Sequence, residues 1–390
     1  MTVSVEIARD AASLRRFLPA WEDLAAHALE PNPLYEHWML LPALEAEAGA
    51  DFRCVLVWTQ HPATPQAAPK LGGLFPLRRV VRFKGLPAAA LSSWRHRSWL
   101  LGTPLLRTQT AHQCLHALLD WARADGERSA LVEFQYLRSD GPFHGVLADV
   151  LREREAMVAA TDTFTRALLR KGSDGETYLA AALSRALRKS LRRKERRLAE
   201  RGALEHVALR PHDDAGRWID DFLRLEASGW KGRRGSAMAS REANRRFATA
   251  ALAAAFGRGR LQLVGVDFEG RPIARCCNLI AGEGSYAYRC AYDEEFAYFS
   301  PGVMAEVDTI LEFHALPGVQ WMDSITEPGN ATINRLWKDR CTIQSVVVGA
   351  GPWGEMWASM LPLLRWAKRR WRGSPQPCAA GDKLPKAEAL

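Results

Sequence analysis

Tyr286 to Val348 decides the fold: YAYRCAYDEEFAYFSPGVMAEVDTILEFHALPGVQWMDSITEPGNATINRLWKDRCTIQSVVV. Tyr286 to Tyr292 is aromatic and β-prone. Ser300-Pro301-Gly302 then opens a helix, since Ser caps well and Pro suits the first helical position. Val303, Met304, Val307, Ile310 and Leu311 recur at helical spacing, and Pro317-Gly318 ends that helix. Val319 to Ile325 reads as a buried strand. Pro328-Gly329-Asn330 turns into a second helix with Ile333, Leu336 and Trp337 on one face, and Thr342 to Val348 is a closing strand. This order sets the amino end of a helix, with its unpaired N–H groups, after the carboxyl end of a strand. Such a helix end is suited to phosphate.

Working outward, the chain has 390 residues, enough for two domains. Hydrophobic residues make up 47%, a globular fraction. No apolar run is long enough to span a bilayer. The first residues, MTVSVEIARDAASL, are charged and lack a signal core, so a cytoplasmic location is expected. Seven Cys, scattered and odd in number, with Cys276-Cys277 adjacent in an expected strand, suggest reduced thiols. A net charge of +9 favours anionic partners, although an Arg-rich composition alone produces the same sum. Neither a phosphate-binding Gly-x-x-x-x-Gly-Lys loop nor a Gly-x-Ser-x-Gly elbow occurs. His112 and His116 share a helix face, but no third ligand is suggested nearby, so no metal is expected.

Residues 1–170 repeat the same alternation. Strands are expected at Arg53–Thr59, Leu71–Val81, Leu131–Leu137 and Phe164–Leu169, a helix at Thr110–Asp125 and another at His144–Glu155. A Pro/Ala-rich loop, His61 to Lys70, lies between the first two strands. The fold class is therefore α/β (α+β), with two tandem domains of mixed sheet and flanking helices. The divisions are 1–170, a basic amphipathic helical connector at 171–203, 204–350, and a helix with a mobile tail at 351–390. In the connector, Leu183, Leu187, Leu191 and Leu198 form a stripe, and the rest is basic from Arg185 to Arg201. It reads either as a clamp for phosphates or tRNA, or as a solvated helix packed by its Leu stripe. Residues 353–372 hold four Trp among Arg and Lys, with Pro362 expected to interrupt the helix. That segment is either a weak membrane-surface contact or a docked terminal helix. Trp94, His96 and Trp99 line a ligand groove between the halves or pack a loop there.

The order of elements resembles the GCN5-related N-acetyltransferase (GNAT) fold, and Asn330 to Trp337 is similar to that family's fourth-helix pattern. More closely, the chain resembles an acetyltransferase family associated with bacterial cellulose biosynthesis and related to Fem-type aminoacyltransferases. The matching pieces, in order over roughly 205–348, are LEASGWKG at 225–232, GRLQL at 259–263, GRPIA at 270–274, AYDEEF at 291–296 and SPGV at 300–303. The resemblance implies an N-acyltransferase that moves an acyl group from acetyl-CoA or another acyl-CoA to an amine, or a hydroxyl, of a sugar or polysaccharide precursor. The alternatives are an aminoacyl-tRNA donor, as in the Fem-type relatives, or a catalytically silent protein that binds an envelope-assembly partner.

Such a transferase must bind the carrier's phosphates, stabilise charge on the carbonyl and remove a proton from the amine. Ser300, Gly302, Val303 and Asn330 are the expected donor-binding residues. Asp293, Asp323 and Glu226 are the candidate bases, each equally able to pair with one of the many Arg. Trp230, Lys231, Arg289 and Tyr288 are expected to line the acceptor site. The loop has only Gly302 where the family has several glycines, and Pro301 removes a donor. Trp337 stands where the family often has a Tyr, and indole cannot act as a general acid. Direct attack in a ternary complex is expected, because no nucleophile motif stands out.

Overall fold

In the computed structural model, which describes residues 2–47, 49–60, 66, 68–124 and 129–371, thirteen strands form one mixed sheet. The first half supplies β1 (Thr2–Ala8), β2 (Phe52–Gln60), β3 (Lys70–Val80), β4 (Ala90–Ser93), β5 (Leu105–Leu106), β6 (Leu131–Arg138) and β7 (Val158–Arg170). The second supplies β8 (Leu204–Ala208), β9 (Leu261–Phe268), β10 (Arg271–Ala281), β11 (Gly284–Tyr292), β12 (Trp321–Asp323) and β13 (Asp339–Gly349). The order across the sheet is β1-β2-β3-β4-β6-β13-β7-β12-β11-β10-β9-β8, with β5 against β3. The expected mobile tail at 373–390, and most of the loop at 61–70, lie outside the described residues.

This order contains an exchange. Each half begins with antiparallel neighbours, β1 to β4 or β8 to β11. Each continues with one parallel pair, β4 with β6 or β11 with β12. Each is then completed by the other half's last strand: β13 joins β6, and β7 joins β12. The two donated strands pair with each other antiparallel at the centre, from Asp339 opposite Leu168 to Val348 opposite Val158. The two GNAT-like sheets are thus fused into one.

Helices cover both faces because their apolar stripes match the pleated surfaces they meet. In Ala111–Ala124 the stripe Leu115, Leu118, Leu119 and Ala122 is buried. Helix Pro301–Ala315 packs on β9 and β10. On the opposite face, Phe247, Ala251 and Leu252 of helix Glu242–Gly257 share one core with Trp38 and Met39 of helix His37–Glu47. The junction between halves is therefore apolar interior. Trp94, His96 and Trp99 are buried there, with the His96 and Trp99 rings against Phe247.

Three local expectations change. The connector is two helices, Gly175–Ala182 and Arg185–Ala199. Leu183 is extended, and the Ser184 hydroxyl caps the second helix by accepting from the Leu187 amide at 3.2 Å. The terminal helix runs from Gly351 to Trp371 through Pro362; Ala358 and Leu361, packed against Phe83, Ala90 and Val347, hold the inner face of the turns before that residue. The strand expected over Val319–Ile325 is only Trp321–Asp323, because Asp323 turns the chain.

Asp323 ends β12 with two contacts. Its Oδ2 accepts from Arg166 of β7 at 2.6 Å, and both side chains are fully buried. Its Oδ1 accepts from the Ile325 amide at 3.0 Å. Ile325 takes φ of 43°, a region that costs a β-branched residue free energy. Arg166 also donates to the Leu100 carbonyl, tying the inter-half loop to the same point. We expect Arg166→Met to lose about 3–5 kcal/mol of unfolding free energy, because Asp323 is left buried and unpaired. The double change with Asp323→Leu should recover much of it. Urea titration of the three proteins checks this, and a loss below about 1 kcal/mol for Arg166→Met would sink the assignment.

Candidate active site

The parallel pairing of β11 and β12 lasts three residues, Gly284–Tyr286 against Trp321–Asp323. Two features then part the strands. Asp323 turns β12 away, and β11 carries a bulge at Tyr288, between Ala287 opposite Asn278 and Arg289 opposite Cys277. A bulge bends its strand and re-aims its side chains. The remainder of β11, 287–292, therefore presents a free edge to a gap.

The first half has the matching construction, with β4 and β6 paired only over Ala90–Ser92 and Leu131–Glu133. That gap is filled by its own chain. Gly102 packs so closely there that a Cβ would lie 2.4 Å from the Gln135 carbonyl oxygen. The Ser93 hydroxyl meets the Gln135 amide at 3.2 Å, and Ser92 bonds Glu133. At the second gap a small pocket remains, lined in part by Cys290, Ala291 and Tyr292 of β11.

Its wall is built by the LEASGWKG segment. Helix Ala215–Ser228 ends at Gly229, and a short turn, Trp230–Arg233, folds back beneath it. Gly232 permits this, since a Cβ would sit 1.7 Å from the Ala227 carbonyl oxygen. The turn returns Lys231 over Glu226. Lys231 Nζ lies 3.3 Å from Glu226 Oε1 and donates to the Cys290 carbonyl at 2.8 Å. That carbonyl therefore points into the gap, and the Cys290 amide points the same way, because both groups of a strand residue share one edge. Glu226 also accepts from Arg289 and from the Met238 amide. Burial alone would raise its pKa, but Arg289, Lys231 and that amide together hold it below the usual carboxylate value. Leu225, Glu226, Trp230, Lys231, Tyr292 and Glu294 line a small pocket at this end of β11. Trp230 is exposed, with its amide donating to Glu294 at 2.7 Å and Arg234 over its ring. Tyr288 points into the core beneath, where burial pushes its hydroxyl up to about 12.

At the mouth of the gap, helix Pro301–Ala315 begins against β11, with the Gly302 Cα facing the Tyr292 ring. Ser300 does not cap it as expected. It adopts φ of 60° and makes no side-chain capping bond; its hydroxyl instead accepts from Lys194 at 2.9 Å. Val303 lies in the first helical turn. The basic helix Arg185–Ala199 crosses here, with Arg197 donating to the Tyr298 hydroxyl at 2.8 Å and Arg201 stacked over Phe299. Arg185, Arg188, Lys189, Arg192 and Arg193 have no acidic partner among the described residues. Asp293 lies just upstream, its carboxylate accepting from the Glu295 amide at 3.0 Å and from Arg271. Asn330 caps the six-residue helix Ala331–Leu336 by accepting from the Ile333 amide at 3.1 Å.

The structure thus gathers Glu226, Trp230, Lys231 and Arg289 into one wall, and places Ser300, Gly302 and Val303 at the mouth with Asp293 upstream. Asp323 stands at the fork, and Asn330 serves a separate helix. Sequence reasoning gave Glu306 no role. It is 4% exposed, and its Oε1 accepts from Trp337 Nε1 at 3.0 Å while its Oε2 lies 3.7 Å from Cys276 Sγ. Cys276 in turn lies 3.0 Å from Cys290 Sγ on β11. Glu306 has no cationic partner among the described residues, and burial pushes its carboxyl up to about 7. Helical periodicity could place Glu306 on its helix, but nothing local signals a buried acid. Among the described residues, no cluster of His, Cys, Asp and Glu is placed to hold a metal.

No curated protein matches this sequence. Among solved structures, FemX is similar at 11% identity with a TM-score of 0.54, over 84% of this chain and 95% of that one. A tandem GNAT protein from the clavulanic acid biosynthesis pathway gives 14% identity, a TM-score of 0.41 and coverage of 90% and 99%. A conserved protein of unknown function from Bacteroides thetaiotaomicron gives 12%, 0.49, and 85% and 97%. Residues 185–332 match the model of the acetyltransferase (GNAT) domain, so the basic helix, the wall, the gap and its mouth all fall within the matched residues.

Proposed function

We propose that this protein is an acyltransferase that moves an acyl group from acyl-CoA to an amine, or a hydroxyl, of a sugar or polysaccharide precursor. The observation that carries the reading is the open strand gap between β11 and β12, with a helix amino end and a basic helix at its mouth. The donor's phosphates sit at the start of this helix, where the Gly302 N–H and the helix dipole favour anions while the Val303 N–H is held by the Ser300 carbonyl at 2.9 Å, and Lys194 and Arg197 add charge. The acyl arm lies along β11, with the Cys290 amide toward its carbonyl. The acceptor enters over Trp230 and Lys231. Glu226 and Arg289 hold that wall rigid, Asp293 holds the loop, and Asp323 sets the width of the gap.

The proton acceptor in this reading is Glu306. Asp293, Asp323, Glu226 and Glu294 each bind an Arg, and the carboxyls of Glu226 and Glu294 are held below the usual carboxylate value. Glu306 has a pKa suited to neutral pH. It reaches the gap through the thiols of Cys276 and Cys290. The amine nitrogen bonds the acyl carbon, the carbon–sulfur bond breaks, and the proton passes to Glu306 and then to the leaving thiolate.

A second reading, aminoacyl-tRNA as donor, is favoured by the five cations of helix Arg185–Ala199 that lack acidic partners among the described residues. Both donors present phosphate to the same mouth.

Three outcomes test these readings. Glu306→Gln should lower kcat about 10²–10⁴-fold, and the rise of rate with pH through about 7 should vanish. Near-full activity on the acceptor would sink the role. Stability gives an independent readout. The folded carboxyl keeps a proton between 4.5 and about 7 that the unfolded chain has released, so wild-type stability should fall as pH rises through that window, and the variant should not show this fall. Finally, replacing Arg188, Arg192 and Arg193 by Gln should leave acetyl-CoA kinetics nearly unchanged. If tRNA is the donor, the same change should flatten the salt dependence of tRNA binding by roughly 0.7–0.9 per lost contact.

A further inference from the structure

Helix Gly351–Trp371 presents two faces. Ala358 and Leu361 are buried against Phe83, Ala90, Leu131 and Val347. Its other face is apolar and open: Trp353 is 74% exposed, Leu363 66% and Trp366 56%, with Met356 and Met360 also exposed. The spacing of 353, 356, 360, 363 and 366 places all five on one side of the helix. Half of the large apolar side chains exposed on the described surface belong to this stripe. Scattered apolar residues are ordinary, but a contiguous stripe marks a contact.

Charge identifies the contact. From Met356 to Trp371 the sequence has no acidic residue, and its last two turns read RWAKRRW, with Arg365, Lys368, Arg369 and Arg370. Arg370 is exposed and stacks over the Trp366 ring at 5.3 Å. Beside the buried face, the loop that holds Phe83 carries Arg82 and Val81, both exposed. Trp and Met at the apolar level, with cations gathered at one end, match the boundary between headgroups and acyl chains of an anionic bilayer. A protein groove would satisfy the apolar stripe but gives no reason for the cations. Among the described residues no helix is long and apolar enough to cross a membrane, so the contact is one of lying on the surface.

We propose that helix Gly351–Trp371 seats this protein on an anionic membrane surface, with Trp353, Met356, Met360, Leu363 and Trp366 inserted among the lipids and the basic end paired with headgroups. This goes beyond the acyl-transfer reading and stands or falls separately from it.

The test is co-sedimentation of the full chain with vesicles of phosphatidylcholine alone, and with vesicles in which a third of the lipid is phosphatidylglycerol. The full chain should sediment with the second only, and salt should weaken it. The triple variant Trp353→Glu, Leu363→Glu, Trp366→Glu should bind at least about tenfold less with an unchanged thermal midpoint, because all three side chains are exposed. Trp353→Ser and Leu363→Ser, measured singly, provide the same comparison if the triple variant folds poorly. Lys368→Gln with Arg369→Gln and Arg370→Gln should reduce the preference for phosphatidylglycerol. Absence of binding, equal binding to both vesicles, or full binding by the stripe variants would overturn the proposal. A dimer in solution that the stripe variants convert to monomer would overturn it too, since a second copy would then cover the face.

Discussion

The site depends on the buried pair Arg166–Asp323. In a sheet of this order, β12 must stay with β11 long enough to be held and leave soon enough to open a gap. Asp323 sets that length. One carboxylate oxygen holds the Ile325 amide in a turn that a β-branched residue resists, and the other is fixed by Arg166. Arg166 belongs to β7, a strand of the first half. The geometry of the second half's gap is therefore enforced from the first half, and the strand exchange gives the first half a structural role at the site. Leu100, held by the same guanidinium, brings the inter-half loop into the arrangement.

The near-symmetry of the two halves makes their difference informative. Both have a parallel pair of three residues followed by a divergence. In the first half, backbone and small hydroxyl side chains occupy the divergence, so its polar edge is satisfied internally. In the second, a lysine ammonium on one carbonyl and a free strand edge remain. Unpaired strand edges are avoided in folded proteins unless something is to bind there.

Much of this was legible in the chain. The helix after Ser300 and the strand at Tyr286–Tyr292 follow from periodicity and local signals; Glu226, Trp230, Lys231 and Arg289, each named as a candidate, are gathered only by the turn at Gly229-Trp230-Lys231-Gly232, which periodicity does not announce. What periodicity cannot carry is partnership between distant residues. Arg166 and Asp323 are 157 positions apart, and nothing local shows that they meet. Ser300 looks like a cap by residue type, yet Lys194, which lies in another helix, takes its hydroxyl. The exchange of β7 and β13 is a matter of topology, and the sequence pattern is identical with or without it.

Glu306 shows how charge composition shapes chemistry. In a chain with 53 Lys and Arg against 44 Asp and Glu, an acid near the surface of a basic site meets an Arg, and its pKa falls. Glu294 has this fate, and even the buried Glu226 is reached by Arg289 and Lys231. A carboxylate keeps basicity near neutral pH only where cations cannot follow it, which means inside the apolar layer between helix Pro301–Ala315 and β10. There it needs hydrogen bonds that carry no net charge, and an indole N–H and a thiol supply them. The same Trp337 that cannot serve as a general acid in place of a Tyr is suited to this task, because indole only donates and leaves the carboxylate's proton to exchange on its other oxygen. Trp337 and Glu306 are then one device. On a surface this basic, only such a buried, neutral-partnered acid escapes an Arg.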